Sequence, residues 1–125
     1  MPDLGATNSR AKILRTKIIT LENPTSSENF GIFGIDEAIT IDKIVAVVKG
    51  SSSPSVTFNI KHGTDRSASG TSLFSSDQTC SSTTTGTTYN SGFNDNTIDA
   101  NAWLWLTTSA TAGTVTQITL IIYYT

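Results

Sequence analysis

Apolar and polar residues alternate with a period of two along most of this chain. That spacing belongs to β-strands with one buried face. The cleanest stretch sets Val56, Phe58 and Ile60 between Ser55, Thr57, Asn59 and Lys61. From Ala38 to Lys49 the alternation changes phase. Ile39 and Ile41 share one parity, whereas Ile44, Ala46 and Val48 share the other. A β-bulge near Asp42-Lys43 would return both sets to one face. Further strands are expected over Lys12–Leu21, Phe30–Ile35, Ser72–Phe74 and Thr83–Tyr89, the last because Thr is a good strand former. Asn23-Pro24-Thr25-Ser26-Ser27, Gly50-Ser51-Ser52-Ser53-Pro54 and Asn94-Asp95-Asn96 read as turns, and His62–Thr71 as a loop. Ala102–Thr107 and Val115–Tyr124 read as a hairpin closed at Ala112-Gly113. No segment has a helical period. The expectation is an all-β, single-domain antiparallel β-sandwich, jelly-roll-like, with about eight short strands over residues 12–125. Residues 1–11 carry no periodicity and read as a flexible N-terminal arm.

Two strands are apolar on both faces. Ile118, Leu120, Ile122 and Tyr124 share one parity of the last strand, and Ile121 and Tyr123 lie on the other with Thr119. A strand apolar on both faces is covered on both. In a one-domain sandwich the second cover must be another chain or the N-terminal segment, so an oligomer is expected. In Trp103-Leu104-Trp105-Leu106 the tryptophans share one face and the leucines the other. If the leucines face the core, Trp103 and Trp105 lie outside and serve a subunit interface or sugar stacking. The opposite assignment puts them inside.

Composition narrows the function. Ser and Thr fill roughly thirty per cent of positions, while charged residues make up 14%, against about a quarter in an average domain. The strands therefore carry a neutral, hydroxylated outer face, suited to docking on protein or sugar more than to acid–base chemistry. A net charge of −2 argues against sequence-blind nucleic-acid binding. Among the basic residues only Arg10, Lys12, Arg15 and Lys17 cluster. They either solubilise an edge strand or form a small basic stripe at an interface. No signal peptide is visible, and no apolar run is long enough to span a bilayer, so no membrane partner is expected. The single cysteine, Cys80, rules out an intrachain disulfide, and no basic residue near it in sequence would lower its pKa. The single histidine, His62, lacks a supporting nucleophile elbow and reads as a loop-fixing residue. The oxygen-rich run Asn94–Asp99 offers calcium ligands without a calcium-loop spacing, and such loops usually satisfy their own backbone instead. No catalytic residue, cofactor or metal is expected, and the chain reads as a non-enzyme.

From Ile39 onward several stretches are distinctive: Ile41–Gly50 (IDKIVAVVKG), Ser53–Ser67 (SPSVTFNIKHGTDRS), Gly70-Thr71, Thr83–Gly86, Phe93–Asp95 and Ala100–Leu106. In these, covering about two-thirds of the chain, the sequence resembles small β-sandwich virion structural proteins of tailed bacteriophages, especially those of cyanobacteria and other aquatic hosts. These include capsid decoration (cement) proteins and fibre components. The resemblance implies a β-sandwich and a homotrimer, and it transfers no catalytic residue. A free-standing β-domain behind an extended arm fits head decoration better than a fibre, which would carry shaft or repeat segments. The expected partner is the major capsid protein of the same virion, on the capsid surface, after assembly in the host cytoplasm. Interface candidates are Trp103, Trp105, Ile121, Tyr123, Arg10, Lys12 and Arg15. The competing reading is a phage fibre or host-surface carbohydrate-binding module, with Trp103, Trp105, Tyr89, Asn94 and Asp95 as the glycan platform.

Overall fold

The computed structural model describes residues 13–125. Arg10, Lys12 and the expected arm over residues 1–11 lie outside the described residues. Eight strands form: β1 (Arg15–Glu22), β2 (Asn29–Gly34), β3 (Ile39–Gly63), β4 (Thr71–Ser72), β5 (Gln78–Cys80), β6 (Thr87–Tyr89), β7 (Thr97–Ile98) and β8 (Trp103–Tyr124). All pairings are antiparallel. The all-β antiparallel domain expected from the period-two pattern is the one that forms.

Strand lengths are not uniform. β3 and β8 run 25 and 22 residues and pair along their whole length, from Ile41 opposite Tyr124 to Gly63 opposite Trp103. This corrects the hairpin expected at Ala112-Gly113. Ala102–Thr107 and Val115–Tyr124 do not pair with each other; Trp103–Thr107 and Val115–Tyr124 are opposite ends of one strand. The serine turn corrects in the same way. Ser52, Ser53 and Pro54 loop out between Ser51, opposite Thr114, and Ser55, opposite Ala112, while β3 continues past them. Gly113 lies across from this excursion at φ +65°, close against the carbonyl oxygens of Ser51, Ser52 and Ser53, where no side chain fits. The turn-forming residues bend the β3–β8 ribbon and leave it unbroken.

The bend folds the ribbon over on itself. One half holds the start of β3 and the end of β8, flanked by β1 on one edge and β6 and β7 on the other. The other half holds the end of β3 and the start of β8, flanked by β2 and by β4 and β5. The inward residues of both halves meet in one core: Ile19, Leu21, Ile41, Ile44, Ala46 and Val48 against Val56, Phe58, Ile60, Leu104 and Leu106, with Ile118, Leu120 and Ile122. Contacts across the fold confirm the closure. Phe58 meets Tyr89 edge-on at 5.5 Å between ring centroids, and Phe33 meets Tyr124 at 5.6 Å. The expected bulge is present at Asp42: Ile41 pairs with Tyr124 and Lys43 with Tyr123, so Ile41 and Ile44 are both buried despite their opposite parity.

The remaining departures are local. β6 holds only the last three residues of the strand expected over Thr83–Tyr89, and β4 stops at Ser72. β5 and β7 were not foreseen; both are too short to show a period. Between β4 and β5 the chain leaves β3, and the Asn59 amide replaces the missing ladder. Its oxygen accepts from the backbone N–H of Phe74 (3.1 Å), and its Nδ2 donates to the Phe74 carbonyl (3.2 Å) and to Asp77 Oδ1 (3.1 Å).

Candidate docking surface

The outward side of the first half is built row by row from the strand register. Outward residues of β1 are Thr16, Ile18, Thr20 and Glu22; their inward neighbours Ile19 and Leu21 are core. Ile18 stands opposite Ile121 of β8, and Ile121 stands opposite Val45 of β3 on its other side. Directly opposed side chains in antiparallel strands lie about 5 Å apart, so these three make an apolar row across the sheet. In the next row Val47 faces Thr119, whose hydroxyl bonds that of Thr20 at 3.0 Å. Beyond it Gln117 Nε2 donates to Glu22 Oε2 at 2.7 Å. On the other side of the apolar row, the Lys43 ammonium lies 4.6 Å from the Tyr123 ring centroid. The result is an apolar centre with a hydroxyl and charged border at both ends. That is the anatomy of a docking patch.

The structure thus brings Ile121 and Tyr123 together on one face, as the sequence candidates required. It adds Ile18, Val45 and Val47, whose outward parity was legible but whose alignment with Ile121 needed the register. Among the described residues the exposed large hydrophobics are Ile13, Leu14 and Ile18 (60% exposed), all on or beside β1, and Trp103. Arg15 is exposed but sits at the end of β1 opposite Tyr124, on the inward parity, beside a cleft it shares with Phe33, Asp36 and Glu37. It is not part of the apolar row.

The tryptophan pair separates. Leu104 and Leu106 face the core, which puts both tryptophans on the outward side, yet only Trp103 is exposed, at 50%, whereas Trp105 is 1% exposed. This corrects the expectation of two exposed rings. The loop after β3 folds back over Trp105. The Arg66 guanidinium stacks 4.6 Å from the Trp105 ring centroid and donates to the Asn29 carbonyl at 3.3 Å. Gly70 lies against the ring at φ +73°, where a Cβ would come 2.6 Å from it. Asp65 ties the loop: its Oδ1 accepts from Ser67 Oγ (2.6 Å) and Ser67 N–H (3.0 Å), and these bonds hold its carboxyl below the ordinary range. Trp103 instead borders an open cleft of about 240 Å³ with Gly31, Phe33 and Arg66.

The glycan platform does not assemble around Trp103. Tyr89 is in the core, against Phe58 and Phe74, and its hydroxyl donates to the Thr79 carbonyl at 2.7 Å. Trp105 is covered by the loop. The Asn94–Asp95 side chains are spent locally. Asn94 Nδ2 donates to the Ser72 carbonyl (3.1 Å), while Asp95 Oδ1 accepts from Thr97 Oγ1 (2.7 Å) and Thr97 N–H (3.0 Å), which lowers the Asp95 pKa. His62 is buried, and its Nε2 donates to the Asp95 carbonyl at 3.0 Å, fixing that loop to β3. Cys80 is buried with its thiol toward the Ala46 carbonyl (3.3 Å); desolvation raises its pKa, which keeps it protonated. Burial raises the Tyr89 pKa as well, with Cys80 adding to it.

No family model matches this chain, and no curated protein matches it. Among solved structures it is similar to a chain of the cyanophage Pam1 capsid asymmetric unit, with a TM-score of 0.47 and 9% identity over 99% of this chain and 98% of that one. It is also similar to a chain in the structure of infectious bursal disease virus, Gx strain, with a TM-score of 0.39 and 12% identity over 98% of this chain and 37% of that one.

Proposed function

We propose that this chain is a non-catalytic structural component of a virion, a decoration protein that binds the outer surface of a tailed-phage head and stabilises it. The observation that carries the reading is the apolar row Ile18–Ile121–Val45 on a solvent-facing sheet, bordered by Thr20–Thr119 and by Tyr123–Lys43. Burying such a face against the major capsid protein favours association through the hydrophobic effect. Its hydroxylated and charged border supplies hydrogen bonds at the rim. A stable contact needs about 1,000 Å² or more. Many copies on one shell would gain avidity without tight single contacts. The sequence resemblance from Ile39 onward to virion β-sandwich proteins supports the same context. In this reading residues 1–11 order on docking and clasp a neighbouring subunit.

The test is occupancy on purified particles. Ile121→Asp puts a charge in the centre of the row without touching the core. The substituted protein should keep its far-ultraviolet circular dichroism and a cooperative melting transition and lose most of its binding to undecorated heads. Full occupancy by the folded variant would rule out this face as the contact.

A further inference from the structure

β1 is an edge strand: among the described residues it pairs with β8 on one side and with no strand on the other. The free edge has a definite polarity. The N–H of Asn23 donates to the Thr116 carbonyl of β8 at 2.8 Å, just past the end of the strand. Successive residues of a strand point their backbone groups to opposite edges. Thr16, Ile18, Thr20 and Glu22 therefore turn their N–H and C=O groups away from β8. The same residues carry the outward side chains. An exposed strand edge with free donors and acceptors and an apolar side chain at its centre is a template for another strand.

We propose that β1 pairs antiparallel with β1 of a second copy of this chain, about a two-fold axis at Ile18. Self-complementarity selects the occupant and the register. A two-fold axis perpendicular to the sheet keeps outward residues opposite outward residues, so paired residue numbers must sum to an even value. The sum 36 sets Ile18 opposite Ile18, Thr16 opposite Thr20, Lys17 opposite Ile19 and Arg15 opposite Leu21, and it uses all of β1, with Leu14 just before the strand opposite Glu22. Thr–Thr pairs and apolar pairs directly opposed favour strand pairing, whereas like charges opposed disfavour it. The sums 34 and 32 set Lys17 on Lys17 and Arg15 on Lys17. The sum 38 shortens the ladder and puts Ile18 on Thr20. In the chosen register the apolar row continues through the axis, Val45–Ile121–Ile18 meeting Ile18–Ile121–Val45 of the second copy. A strand paired with itself closes after two copies, which makes a two-fold pair in place of the trimer implied by the resemblance.

The experiment uses the full chain in solution, so it reads out independently of capsid attachment. Light scattering after size exclusion, over a dilution series, should give a two-chain mass at the high end. Ile18→Pro and Thr20→Pro each remove a donor that points to the free edge, which edge strands tolerate; Ile18→Pro also removes the apolar side chain at the axis. Each should leave the melting transition cooperative and weaken the pair about tenfold or more, since two symmetry-related bonds are lost. Ile18→Cys should cross-link under mild oxidation, because a hydrogen-bonded antiparallel pair holds its Cα atoms about 5.5 Å apart, within disulfide reach; the buried Cys80 does not compete. A one-chain mass at every concentration, a larger assembly unchanged by both proline substitutions, or no cross-link from the folded cysteine variant would each overturn the proposal.

Discussion

The two halves of the folded ribbon face solvent with the same kind of strand and manage it differently. In both halves β8 is apolar on both parities: Ile121 and Tyr123 lie outward at one end, Trp103 and Trp105 at the other. At the β2 end the chain supplies its own cover. The 64–70 loop lays Arg66 and Gly70 over Trp105, and the ring becomes as buried as the core leucines beside it. At the β1 end Ile18 stays 60% exposed. One half buries Trp105 within its own chain and leaves Trp103 half exposed. The other keeps Ile18 on the surface, where another molecule can use it. Trp105 on β8 is buried because the loop that follows the neighbouring strand β3 reaches over it.

Substitutions should expose that difference as a gradient. Trp105→Ala removes a fully buried ring and leaves Arg66 without its stacking partner. The expected loss is about 3–5 kcal/mol in denaturant unfolding. A loss below about 1 kcal/mol would mean the loop is only draped over the ring. Gly70→Ala keeps the ring but drives a methyl into it from a left-handed backbone. We expect about 1–3 kcal/mol of destabilisation, together with a rise in Trp105 accessibility to a fluorescence quencher. Ile121→Thr, in the open half, exchanges one good strand former for another on a face that folding does not bury deeply. Its effect on the isolated single chain should stay within about 0.5 kcal/mol. A large loss there would show that the outward row is already packed against something within the same chain.

Residues 56–60 show how much a local pattern can carry. Alternation alone put Val56, Phe58 and Ile60 in the core, and the parity shift around Asp42 was enough to locate a bulge that the register confirms. The same reasoning failed at Gly50–Pro54 and Ala112-Gly113. Gly, Ser and Pro permit a reversal, a bend or a loop-out with equal ease, and the choice is made by what the flanking strands pair with. It failed again at Tyr89, whose parity was readable but whose side, core or platform, depends on Phe58 and Phe74. Of the candidate site, Ile121 and Tyr123 were visible from the doubly apolar last strand. Ile18 and Val45 were not, because only the pairing of β1 and β3 with β8 sets them beside Ile121.

The amino-acid order by itself determined that this chain is all β, which residues share a face, and that one strand end has more apolar surface than a single sheet face can bury. These are consequences of a two-residue period acting over neighbours. The tertiary structure alone decided that four expected strands are the ends of two long ones, that Trp105 is hidden while Trp103 is not, and that the uncovered apolar row runs across three strands. Each of those outcomes depends on residues tens of positions apart meeting in space, and a local period carries no information about which of them meet.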